Sequence, residues 1–183
     1  PPHDSTVSVP EGTFVQTTGL ITSLLYDPSG DGNISETARR GAIAQVAACA
    51  ETVRNGKTTW AYQLTSGDWV LAYNVQEVEG GTASFTGAQA VCSGRDELLQ
   101  FSGSGTPLAY TNQIENTLSL RFYGAEFAAD FAVSGSSLVR RCEVKPFEGG
   151  TELVLHFDAP LWGHVISYEG NTVQVVLKAA PTR

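Results

Sequence analysis

The sequence predicts an all-β protein, a small β-barrel followed by a β-sandwich built from a duplicated hairpin. Three observations carry this. Between residues 151 and 177 the apolar residues alternate: Leu153, Leu155 and Phe157 share one side of an extended run, and Val173, Val175 and Leu177 share one side of the next. Period-two alternation, broken by Pro160 and by the turn Glu169-Gly170-Asn171, is the pattern of strands with one buried face. A looser copy lies upstream, where Leu99 and Phe101 precede Pro107-Leu108, and Asn116-Thr117 opens the run Leu118, Leu120, Phe122. Neither copy can bury its apolar face alone, so the pair predicts a duplicated hairpin closing on itself as a sandwich. Finally, 19 Gly and 8 Pro among 183 residues, with only 16% charged, favour β structure rich in turns.

In chain order, residues 1–12 hold Pro, Ser, Thr and Asp without an apolar pattern and read as a flexible tail. Residues 13–80 read as the barrel. Thr13-Phe14-Val15 is a short strand, and Gly19-Leu20-Ile21 leads to Leu24-Leu25-Tyr26 and a turn cluster over 27–33. Over 35–53 the Ala-rich run after Ser35 predicts a short helical turn before Gly41, then a strand. Asn55-Gly56 is a hairpin signal, and strands over 60–64 and 69–75 flank the turn Ser66-Gly67-Asp68. Strands at this pitch suit a small barrel. Residues 81–95 are a linker or a packing strand, with Phe85 to Cys92 as its apolar part. Residues 96–183 are the sandwich, in which 125–137 connects the repeats and carries a helical turn around Ala128.

Two resemblances accompany this reading. Pro160-Leu161-Trp162-Gly163, then Tyr168-Glu169-Gly170-Asn171 with a closing apolar strand, and Phe122-Tyr123-Gly124-Ala125 between the repeats, resemble the AMIN domain over about residues 96–181. In many bacteria that module precedes a cell-wall amidase, and the resemblance implies a β-sandwich that attaches a protein to peptidoglycan or its envelope neighbours. Pro28-Ser29, Arg40-Gly41, Trp60, Ser66-Gly67 and Trp69-Val70 resemble the bacterial Src-homology-type small barrel over about residues 13–78. The chain departs from that family at Leu24-Leu25-Tyr26, where an Asn and an Arg are usual, and in a long connection over 47–57.

Composition narrows the partners. A formal charge of −8 argues against nucleic acid and against electrostatic docking on anionic lipid. No apolar run approaches a membrane span. The start Pro1-Pro2-His3 and the absence of Met suggest a processed or truncated product, as a mature secreted chain would be. With Cys49, Cys92 and Cys142 the expectation is a Cys49–Cys92 disulfide, Cys142 packing inward beside Leu138 and Val144; three unpaired thiols are the alternative.

Reactive chemistry finds little footing. A zinc site would have to come from His156, Asp158 and His164, which meet no ligand spacing rule; outward-facing strand residues are the plainer reading. Asp27, Ser29, Asp31 and Asn33 imitate the start of a calcium loop, but the twelfth position is Ala38 rather than a closing carboxylate. Acidic Gly-rich turns form without any ion, because Asp, Ser and Asn bond their own backbone. Gly103-Ser104-Gly105 reads as a turn rather than a nucleophile elbow, and Asp96-Glu97 as a solvated edge rather than an acid/base pair. No catalytic residue and no cofactor are expected, calcium at the weak loop aside.

The aromatic residues are the candidates for binding. Tyr26, Trp60, Trp69 and Tyr73 in the barrel, and Trp162 and Tyr168 in the sandwich, have flat rings with polar tips that suit glycans or peptides, with core packing as the alternative for each. The expected function is a non-catalytic extracytoplasmic module that binds or targets the bacterial cell wall or envelope, its partner peptidoglycan or another envelope protein. One alternative is a self-associating structural subunit of a surface layer or filament. The other is the targeting part of a zinc N-acetylmuramoyl-L-alanine amidase without its catalytic domain.

Overall fold

The computed structural model describes residues 7–29, 33–147, 149–169 and 172–181. Among these the protein is all-β, with eighteen strands and one turn of 3-10 helix at Ala72–Asn74. Contacts divide the chain into two compact units, Pro1–Glu79 and Gly80–Arg183.

The N-terminal unit is one curled sheet, a half-barrel. Its strands are β1 (Val7–Ser8), β2 (Phe14–Thr17), β3 (Ile21–Leu25), β4 (Ile34–Arg39), β5 (Ile43–Arg54), β6 (Lys57–Leu64), β7 (Trp69–Leu71) and β8 (Val75–Val78). They lie in the order β4-β3-β7-β6-β5-β2-β8, with β1 on β5. The helical turn predicted before Gly41 is instead strand β4, paired with β3 from Ile21 opposite Arg39 to Leu25 opposite Ile34. The Ala-rich run and the supposed long connection over 47–57 are one 12-residue strand, β5, and its turn. Helix propensity separates ordinary residues by at most ~0.7 kcal/mol each, so the burial of Val46, Ala48, Ala50 and Thr52 on one strand decides the outcome. Asn55 and Gly56, with φ of 53° and 75°, make the tight turn that their dipeptide predicts. Strand β7 is buried on both sides: Val70 packs with Val15, Leu24, Val46 and Leu64, whereas Trp69 and Leu71 pack with Leu25, Ala50 and Ala61.

The C-terminal unit is a sandwich of two sheets. It contains β9 (Ala83–Ser93), β10 (Asp96–Gly105), β11 (Leu108–Ile114), β12 (Thr117–Tyr123), β13 (Ala125–Phe127), β14 (Val133–Ser134), β15 (Val139–Phe147), β16 (Gly150–Phe157), β17 (Gly163–Glu169) and β18 (Thr172–Lys178). One sheet runs β9-β10-β18-β17, the other β15-β16-β12-β11. The two orders are the same once β9–β12 is matched to β15–β18. Each copy places its first two strands in one sheet and its hairpin in the other, so each hairpin lies against the other copy's strand. Leu118 and Leu120 stand opposite Leu155 and Leu153, and Val175 stands opposite Leu99. These six side chains, with Val173 and Leu177, have no solvent exposure.

Residues 81–95 hold strand β9, which pairs with β10 along its length. The connection between copies carries no helical turn at Ala128. It is a tight turn closed by the Phe131 N–H on the Ala128 carbonyl, between β13 and β14, both parallel to β9. Phe127 and Phe131 thereby join Phe85, Phe101 and Phe122 in a five-ring cluster with centroids 4.7–6.0 Å apart. The Gly-Ser-Gly segment is not a turn between strands but the bulged end of β10. Gly103 has a φ of 149°, and a Cβ there would lie 2.0 Å from the Ser84 carbonyl oxygen.

Candidate binding face

The inner positions of sheet β15-β16-β12-β11 are mostly apolar, and the alternate positions form its outer face. The register sets these outward residues in rows: Tyr110 by Arg121 by Glu152 by Lys145, and Thr117 by His156 by Arg141. Between the rows lie Ser119, Val154 and Glu143. Neighbouring strands are ~4.8 Å apart and same-face residues on a strand ~7 Å apart, so these side chains meet across the face.

They form two linked groups. The Glu152 carboxylate accepts the Ser119 hydroxyl at 2.5 Å and faces Arg121 Nε at 4.0 Å. The Arg121 guanidinium stacks over the Phe147 ring at 5.7 Å, and Phe147 meets Tyr123 edge to face at 5.2 Å. Burial pushes the Tyr123 phenol up, opposed by the charge and hydrogen bond of Arg121. In the second group Glu143 accepts Arg141 at 2.6 Å, meets His156 Nε2 at 2.8 Å and lies 3.5 Å from Lys145. The hydrogen bond from Arg141 is the main cause that holds the Glu143 carboxyl below its usual range, outweighing burial, with His156 and Lys145 adding to it. Three permanent cations thus face two carboxylates, a local charge of +1 in a chain of −8.

The predicted aromatic candidates do not gather into one groove. Trp69 is core, 6% exposed, because β7 is covered on both sides. Trp60 is 44% exposed, opposite Glu51 on the β5–β6 hairpin; Tyr26 follows β3, and Tyr73 lies in the 3-10 turn, both more than 60% exposed. Trp162 is 66% exposed on the loop before β17, its backbone N–H on the Lys178 carbonyl. Tyr168 lies on the inward side of β17, where burial raises its pKa and a hydrogen bond from the Ala109 backbone opposes that.

The two C-terminal histidines are far from equivalent. His156 belongs to the face. His164 closes the sandwich edge between β17 and β11, its Nδ1 2.7 Å from Gln113 Oε1 and its Nε2 2.8 Å from Thr111 Oγ1. Gln113 Nε2 donates to the Leu161 carbonyl, which fixes the amide and makes Nδ1 the protonated nitrogen. Burial lowers the His164 pKa. Asp158 meets Arg140 at 3.5 Å, so the three supposed zinc ligands are engaged separately, and among the described residues no cluster suits a metal ion.

In the calcium-like loop Asp27 Oδ1 accepts the Ser29 N–H and hydroxyl at 2.9 and 2.7 Å, an Asx turn, and the Asn33 carbonyl accepts the Tyr26 N–H. Asp31 lies outside the described residues. Cys49, Cys92 and Cys142 are free thiols, Cys49 half-buried on β5 in one unit and Cys92 exposed on β9 in the other. Cys142 packs against the sandwich core, as does Leu138, but Val144, on the same side of this edge strand, is 37% exposed.

Sequence reasoning passed over Tyr110, Arg121, Glu143, Lys145 and Glu152. Their signal was the polar half of the same alternation that identified the core, which becomes legible only when the register shows which strands are neighbours. Glu97, read as a solvated edge, is 2% exposed. Comparison with known protein families, characterised proteins and solved structures finds no match.

Proposed function

We propose that the chain is a non-catalytic binding module of the bacterial envelope, working outside the cytoplasm to hold a protein or itself against peptidoglycan or an envelope neighbour. The observation that carries this reading is the outer face of sheet β15-β16-β12-β11. It is a flat array with Arg121 stacked on an aromatic ring and its carboxylates already hydrogen-bonded. Such an array offers donors, acceptors and a ring surface to an extended polar polymer and needs no reactive centre. The AMIN-like order of motifs over 96–181 points the same way. The test is co-sedimentation with purified peptidoglycan sacculi. Saturable binding that weakens in Arg121→Ala supports the reading, and a protein that stays in the supernatant ends it.

The opposite sheet favours the structural-subunit reading. On its outer face Val91, Leu98, Val176 and Val165 form one row, and Gln89, Gln100, Gln174 and Ser167 the next, without a charge in either. Two copies of a chain at −8 can approach there without opposing carboxylates. Light scattering over a concentration series tests this: growth that Val165→Lys abolishes supports assembly, and a constant monomer mass removes it.

A further inference from the structure

Resting on the envelope-binding reading, we infer that the β15-β16-β12-β11 face recognises the free carboxylates of peptidoglycan stem peptides through Arg121, Arg141 and Lys145. Charge balance is the first support. Residues 80–183 carry seven Lys and Arg against ten Asp and Glu, a net −3. The face carries three cations against two carboxylates, so it is +1 while the rest of the unit is −4. Glu143 is shared by Arg141, Lys145 and His156, and the Arg141 and Lys145 side chains, 59% and 58% exposed, keep N–H donors beyond the one each gives it. A ligand carboxylate arriving beside Lys145 or Arg141 takes those donors.

Spacing selects the kind of anion. Arg121 and Lys145 are two strands apart, ~10 Å, and Arg141 and Lys145 are four residues apart on β15, ~13 Å. Glu143 and Glu152 lie between them. A dense polyphosphate would press its charges onto those two glutamates, whereas a sparse polymer bearing carboxylates and occasional ammonium groups matches the alternation of sign. Stem peptides carry both. Arg121 is also partly preorganised, since the Phe147 ring at 5.7 Å and Glu152 at 4.0 Å flank its guanidinium, which reduces the side-chain entropy lost when it grips a carboxylate.

The experiment measures binding of the full chain to sacculi stripped of secondary polymers, before and after carbodiimide amidation of their carboxylates. Separately, the β12 and β15 amide resonances of the full chain are followed on addition of soluble poly-L-glutamate. Amidation should weaken binding roughly tenfold, and Arg121→Gln with Lys145→Gln should weaken binding to untreated sacculi roughly tenfold, about threefold per cation, with little further loss on amidated ones. Arg95→Gln serves as the charge control, and thermal melts confirm that the variants fold. Equal binding to native and amidated sacculi overturns the carboxylate assignment while leaving the envelope reading intact. Binding that appears only when phosphate-bearing polymers are left on the wall also overturns it. Failure to bind any sacculi ends the envelope reading. The inference about the face then stands only if poly-L-glutamate shifts the β12 and β15 amides in the native chain and not in the double variant, and falls if it does not.

Discussion

Glu97 is the one buried charged residue among those described, and its replacement tests whether the connection between the copies is held as the geometry requires. Its carboxylate accepts four hydrogen bonds: the Ser136 hydroxyl at 2.5 Å, the Ser137 N–H at 2.6 Å, the Ser137 hydroxyl at 2.7 Å and the Leu138 N–H at 3.2 Å. Glu97→Gln keeps the shape but removes the charge and turns one acceptor into a donor facing donors. Hydrogen bonds to a charged group contribute ~1.5–3 kcal/mol, and a buried donor left unmade costs ~1–3 kcal/mol. A net loss of ~2–4 kcal/mol follows, about 10 °C or more in the melting temperature of a unit this size. The assay is denaturant unfolding followed by Trp162 fluorescence, with hydrogen exchange at the Ser137 and Leu138 amides. An unchanged midpoint and unchanged protection of those amides would refute the tether.

The same group predicts an acid limb. Burial alone raises a carboxyl pKa, but here the Ser136 and Ser137 hydroxyls and the Ser137 and Leu138 amides outweigh it, and the folded pKa lies below the usual glutamate value. Protons therefore bind the unfolded chain more readily. The stabilisation is complete above the unfolded glutamate pKa, roughly 4.3, and is lost as the pH falls through the lower folded value. Glu97→Gln should flatten that limb.

Three further outcomes follow from the packing. Trp69→Ala should cost ~3–5 kcal/mol in unfolding free energy, whereas Trp60→Ala, at a half-open position, should cost well under half of that by the same measurement. Gly150→Ala would place a Cβ 2.1 Å from the Phe122 carbonyl oxygen, and thermal denaturation should show a loss of about 2 kcal/mol or more as β12 and β16 are forced apart. Burial lowers the His164 pKa, so its share of stability is complete above the unfolded histidine value of about 6.5 and is lost as the pH falls through the folded one; the unfolding midpoint should drop between neutral and mildly acidic pH, and less so in His164→Gln.

Legibility in the sequence followed one rule. Where a strand had an apolar side and a polar side, as in β12, β16 and β18, alternation alone identified the strand and its buried residues. It failed where a strand is open on both sides or buried on both: β4, with every position at least partly exposed, reads as a helical turn because it carries no period-two signal, and β7 hides Trp69 among residues that are all core. The binding face was illegible for another reason. Arg121, Glu152 and Lys145 come from three strands, and nothing in the chain order says that β12 lies against β16 rather than β10. Glu97 was misread because its four donors lie about forty residues away.

The duplication itself explains why one face is free to bind. In the exchanged arrangement the inner positions of both copies meet at one core, so Leu99, Leu118, Leu153 and Val175 are constrained together. Even the polar exceptions correspond. Glu97 stands opposite Leu177 and Thr151 opposite Phe122, equivalent places in the two copies. Each is buried and each tethers the connection, Glu97 at Ser136 to Leu138 and Thr151 through its hydroxyl on the Ala125 carbonyl. Packing therefore holds the inner halves of the two repeats alike, while the outer halves answer only to solvent and partners. One outer face carries two uncharged rows of Val, Leu, Gln and Ser, the other an array of Arg, Lys and Glu. Core packing requires no such difference between two sheets of common design, and that divergence is the physical reason for seeking function on those faces.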